Sequence, residues 1–84
     1  MNNNVEKWIN LVKETIQLKY ANIAYKGEKE KATPTDIMDN MDTVFDEIVD
    51  IIYNFPFDEI ELPILKSLSE YNVQSYNNTF KAIL

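Results

Sequence analysis

Histidine, cysteine and arginine are all missing from this chain of 84 residues, and glycine occurs once. Without cysteine there is no disulfide framework, no redox thiol and no thiolate for zinc. Without histidine no nucleophile–imidazole pair can form. Without arginine the planar, two-pronged grip on phosphate or carboxylate is lost, and with it the usual reader of nucleic-acid bases. A single glycine cannot build a phosphate-cradling loop. Nor does any run approach the ~18 apolar residues that a membrane span needs.

What remains is a short chain, 45% apolar and 26% charged, which places it with folded rather than disordered sequences. Its length fits one helical domain over 1–84. A domain of this size buries only about 60–65% of the surface its unfolded chain exposes, so stability must come from helix packing or from a partner subunit. The start, Met1 to Trp8, has neither a basic nor an apolar region of a signal peptide, and a cytoplasmic location is expected. Asparagine, isoleucine and lysine are abundant, and lysine wholly replaces arginine. Such a bias suggests an AT-rich bacterial or phage genome.

Charge is unevenly spread. Residues 1–31 carry six Lys and four Glu, whereas residues 32–65 carry nine acids and no base. The net charge of −6 therefore comes from the middle of the chain. A direct nucleic-acid binder needs the opposite sign on its contact face, so neither DNA nor RNA is expected as a ligand.

Apolar spacing is helical throughout. Val5, Trp8, Ile9, Val12, Ile16, Tyr20 and Ile23 recur at three- and four-residue steps and predict a helix over about 4–26. Gly27 then supplies a left-handed stop before a solvated loop, Glu28 to Ala32. A second helix over about 34–54 has Thr33 as N-cap, Pro34 at its first position and Asp36 where a capping-box acid belongs. Ile37, Met41, Val44, Phe45, Ile48, Ile51, Ile52 and Phe55 form its buried stripe, and Pro56 ends it. A turn over 58–61 leads to a third helix over about 62–71, with Ile60, Ile64, Leu65, Leu68 and Tyr71 inside. Asn72 reads as a left-handed terminator, followed by a short helix over about 74–83 with Val73, Tyr76, Phe80 and Ile83 inside. The fold class is all-α, a small antiparallel bundle of three to four helices.

The second helix is two-faced. At 100° per residue, Asp36, Asp42, Asp46 and Asp50 fall within about 60° of Asp39, and Glu47 lies at about 80°. Carboxylates at this spacing repel by a few tenths of a kcal/mol per pair, and no lysine on the same helix relieves them. Such a row suits docking on a basic surface of another protein, for example a nuclease or a nucleic-acid-binding groove, with salt-sensitive association. The bland alternative is a solvated face kept for solubility.

The first helix has apolar residues to spare. Leu11, Leu18 and Tyr25 repeat every seven residues on a second face, which could pack on a neighbouring helix or form a homodimer seam. Phe55 and Phe57, around Pro56, could close the end of the bundle or anchor an interface.

Catalysis would have to use carboxylates, lysine or tyrosine. Asp39-Asn40-Met41-Asp42 lacks the central glycine and the twelfth-position glutamate of a calcium loop. Glu47-Ile48-Val49-Asp50-Ile51-Ile52-Tyr53 resembles the Glu-x-x-Asp helix of the all-α nucleoside-triphosphate pyrophosphohydrolases, a likeness that implies magnesium held by Glu47 and Asp50. That family pairs it with a Glu-x-x-Glu on an earlier helix; here Glu14-Thr15-Ile16-Gln17 lacks the second acid. The expectation is a non-enzyme without cofactor or metal: an inhibitor, immunity-type or anti-host regulator that binds a basic protein. A homo-oligomeric or complex-embedded structural subunit is the alternative.

Overall fold

The computed structural model describes residues 3–83. Three helices account for nearly all of them: α1 (Asn3–Glu30), α2 (Pro34–Tyr53) and α3 (Leu62–Ile83). Each packs against the other two, giving a rod of 43 × 18 × 16 Å. The fold is therefore all-α, with three helices where the sequence allowed three or four. Met1, Asn2 and Leu84, which the single-domain reading also takes in, lie outside the described residues.

Cross-helix pairs fix the directions. Lys19 and Gly27 on α1 meet Glu47 and Ile37 on α2, Asp42 and Phe45 on α2 meet Tyr76 and Asn72 on α3, and Gln17 and Tyr20 on α1 meet Tyr71 and Tyr76 on α3. So α2 runs antiparallel to both neighbours, and α1 and α3 run parallel. The core is the seam where the three apolar stripes converge: Val12, Ile16, Tyr20 and Ile23 from α1, Ile37, Met41, Ile48 and Ile52 from α2, and Leu65 and Leu68 from α3.

The first turn lies elsewhere than expected. Gly27 is helical and does not stop α1, which continues to Glu30. Lys31 takes the left-handed conformation instead, at φ 51°. The Ala32 amide donates to the Gly27 carbonyl at 3.1 Å, the six-to-one bond of a Schellman cap with Lys31 at the left-handed position. Ala32 tucks against the core, as the residue after such a cap commonly does. The glycine serves another purpose. It is buried where α1 meets the start of α2, and a Cβ there would stand 3.3 Å from Ile37 Cδ1. A buried glycine lets the two helices approach closely at the price of some helix propensity.

At the start of α2, the Thr33 side chain accepts from the Asp36 amide at 3.2 Å, with Pro34 in the first turn. Asn54 caps the far end, its backbone and side-chain amides both donating to the Asp50 carbonyl.

The largest departure is in α3, which runs unbroken through Asn72. That residue is no terminator: it is buried in the middle of the helix. Its side chain accepts from Tyr20 Oη at 2.7 Å and donates to the Phe45 carbonyl at 3.3 Å. One amide thus ties all three helices together, and no buried side-chain nitrogen or oxygen among the described residues lacks a partner. Because the helix is continuous, its core face passes through Leu65, Leu68, Asn72 and Tyr76. Val73 and Phe80, expected inside, are carried onto the outer shoulder, 46% and 38% exposed.

Candidate docking surface

Helix α2 displays its acids as its spacing demands. Asp36, Asp39, Asp42, Asp46, Glu47 and Asp50 are all exposed, and the opposite side of the helix supplies Ile37, Met41, Ile48 and Ile52 to the core. The two margins of this row differ. On the α1 side, Lys19 Nζ lies 2.9 Å from Glu47 Oε2, the single ion pair among the described residues. On the α3 side, Tyr76 Oη donates to Asp42 Oδ1 at 2.7 Å. Among the described residues, the direct contacts that relieve the row thus come from neighbouring helices, at its margins. Asp36, Asp39, Asp46 and Asp50 enter no ion pair among the described residues.

Tyr76 links the row to the interior. Its ring stands edge-on to Phe45 and to Tyr20, at 5.7 and 6.3 Å between centroids. The hydrogen bond to Asp42 raises the pKa of the Tyr76 phenol above its ordinary value, because ionising it would place two anions together. Burial does the same to Tyr20, further into the bundle. Both hydroxyls, protonated at neutral pH in any case, thus keep donating further into the alkaline range.

Grooves run along both sides of α2, and a concavity at its start is lined by Lys31, Thr33, Asp36, Asp39 and Asn40. The groove shared with α1 is polar and basic, lined by Lys19, Asn22, Lys26, Asn40 and Thr43 above Ile23 and Val44. The one shared with α3 is apolar where it opens between Tyr53, Leu62, Pro63 and Leu65, then continues along α3 past Lys66 and Ser69 to Val73. Met38 lies one turn before Asp42 on α2, and Phe80 one turn beyond Tyr76 on α3, so both flank the far end of this groove. Five of the eight large exposed apolar residues among the described ones belong here: Met38, Tyr53, Leu62, Val73 and Phe80.

The other three are Leu11, Leu18 and Tyr25, 60%, 71% and 61% exposed. They form the second face expected on α1, and neither α2 nor α3 covers it. Lys29 stands 5.5 Å from the Tyr25 ring centroid. Phe55 and Phe57 behave differently. Both are half-buried: Phe55 packs on the core, and Phe57 meets Trp8 edge-on at 5.8 Å. They close the end of the bundle and offer no protruding anchor.

Glu47 and Asp50, the pair of the pyrophosphohydrolase-like pattern, do not gather further acids. Glu14 lies on the outer face of α1 beside Leu18, while Glu47 is held by Lys19 on the α2 side. No group of three or more metal-ligating side chains occurs among the described residues. No helix in the described residues is long and apolar enough to cross a membrane.

Sequence reasoning missed Lys19, Tyr20, Asn72 and Tyr76 as the groups that set the electrostatics around α2. It also missed the α2–α3 groove. The seven-residue step from Val73 to Phe80, the same step that marks Leu11, Leu18 and Tyr25, was the available signal. No family model, curated protein or solved structure matches this chain.

Proposed function

We propose that this protein is a small cytoplasmic binding module, without catalytic activity, that docks the acidic row of α2 on a basic surface of another protein. The class of action is that of an inhibitor, immunity protein or anti-host regulator in a bacterial or phage setting. The target is a protein carrying a cationic surface, such as a nuclease or another nucleic-acid-binding protein, and neither nucleic acid nor a membrane is contacted directly. One observation carries the reading: four aspartates on one exposed helix face enter no ion pair among the described residues, although Lys31 shares a concavity with Asp36 and Asp39 and further lysines are present on α1. Holding like charges together costs stability, and a cationic partner recovers that cost on binding.

The test is capture from native cytosol on immobilised protein, at low and at moderate salt. Asp39→Lys, Asp46→Lys and Asp50→Lys combined serve as the control, with Asp42 kept because it holds Tyr76. A partner retained at low salt, released at moderate salt and lost on the triple variant supports docking. Equal retention by a folded triple variant contradicts it.

A second reading has its own observation. Leu11, Leu18 and Tyr25 form an uncovered column at heptad spacing. It would make the chain a homo-oligomeric or complex-embedded structural subunit. Light scattering at micromolar concentration, with Leu18→Glu as the control, decides it: a dimer abolished by the substitution supports the seam, and a monomer excludes it.

A further inference from the structure

We infer that the partner presents a cationic amphipathic helix, laid along the groove between α2 and α3. This rests on the docking reading above and adds what the acidic row alone does not specify: the shape of the bound segment and the side of α2 on which it lies.

Among the described residues, exposed apolar surface and charge of a single sign coincide there. The groove opens between Tyr53 and Leu62, and Val73 and Phe80 extend its apolar surface along the shoulder of α3, with Leu62 77% exposed. One bank is the crest of α2 with Asp39, Asp46 and Asp50. The other is the shoulder of α3, where Lys66 and Glu70 offset each other. From Leu62 to Phe80 the exposed apolar positions of α3 span about 27 Å at 1.5 Å per residue, the length of an ~18-residue helix. A ligand matching both features needs an apolar stripe for the floor and Lys or Arg along one edge for the aspartates, the helix-in-groove mode of recognition. An extended basic tail would satisfy the charges and leave the floor wet.

The apolar column on α1 is an internal control. Leu11, Leu18 and Tyr25 are as exposed as the groove residues, but Glu14 next to Leu18 and Lys29 next to Tyr25 give that face no single sign of charge. If greasiness alone attracted a helix, α1 would compete. If charge complementarity decides, a cationic helix chooses the α2–α3 side.

The probe is an 18-residue peptide of leucine and lysine with the leucines on one helical face. Two comparison peptides are one of the same composition with the leucines scattered, and oligolysine of equal length. Binding is read by fluorescence anisotropy, and location by amide chemical-shift changes on the labelled protein. The amphipathic peptide should bind 1:1, at least tenfold tighter than either comparison. Its shifts should fall along Met38–Tyr53 and Leu62–Phe80. Val73→Glu and Leu62→Glu, both at exposed positions, should each weaken it at least tenfold with the circular dichroism unchanged, while Leu18→Glu leaves it as it was. If all three peptides bind equally and the groove variants change nothing, the groove is not the site, although charge docking stands. Shifts centred on Leu11, Leu18 and Tyr25 overturn the placement. A self-associated protein dispersed by Val73→Glu makes a second copy the occupant and overturns the foreign helix. If no cationic probe binds, the docking reading falls as well.

Discussion

The two sides of α2 are built from the same helix and end in opposite characters. Toward α1 the margin is wet and basic, with Lys19 closing on Glu47 and Lys26 nearby. Toward α3 the margin is apolar, and the one direct contact to the acids is a phenol donated to Asp42. A carboxylate row is usually treated as a uniform face. Here its neighbours make it lopsided: a cation approaching from the α1 side meets lysines, and one approaching from the α3 side meets exposed apolar surface. The direction of approach is thus set by α1 and α3, not by the acids.

The difference can be broken most forcefully at Asn72, which holds both margins in register. Asn72→Ala leaves a cavity, strands the Tyr20 hydroxyl and removes the side-chain bond to the Phe45 carbonyl, a loss of about 3 kcal/mol. Thermal unfolding should move down by roughly 12 °C or more. A shift of only a degree or two would mean that the amide is not the tie it is drawn to be. The α1–α2 corner should respond in the opposite sense. Lys31→Gly removes the left-handed strain of a residue with a Cβ and should stabilise by about 1 kcal/mol in chemical denaturation, leaving the α2–α3 groove untouched.

Alkali separates the margins by chemistry. Tyr20 and Tyr76 are both held protonated in the fold, above their ordinary value of 10.0. Above that pH the unfolded chain has lost protons that the folded chain retains, so stability falls as pH rises; below it, neither tyrosine contributes a slope. Tyr76→Phe should flatten part of this alkaline loss, measured as unfolding midpoints from pH 8 upward. Lys19→Met should leave the tyrosine-linked alkaline loss in place. The smallest effect is that of Lys19→Met at neutral pH. The pair it breaks is more than one-third exposed on both sides, so a few tenths of a kcal/mol, vanishing in high salt, is expected.

The legible part of this protein was the part governed by period. The stripe of α2, its Thr33 cap and its end near Tyr53 followed from spacing and from Pro34 and Pro56, as did the exposure of the aspartates and of Leu11, Leu18 and Tyr25. Two residues misled because their usual roles are local and their roles here are tertiary. Gly27 reads as a helix stop, but it is a site of close helix approach, and Lys31 bears the left-handed turn. Asn72 reads as a break, but a buried amide with two cross-helix partners passes as a core residue. Splitting α3 at that point turned Val73 and Phe80 inward and concealed the groove they line. The pairing of Lys19 with Glu47 and of Tyr76 with Asp42 joins residues 28 and 34 positions apart, and no periodicity within a helix encodes such contacts.

The asymmetry of the field around α2 is open to a direct, partner-free measurement. Amide-by-amide paramagnetic broadening would be compared between a cationic and a neutral nitroxide of similar size. The excess for the cationic probe should peak along Asp39–Asp50 and extend over Ser69–Phe80 of α3 more than over Lys19–Lys26 of α1. An excess that is equal on both sides, or greater over α1, would contradict the account.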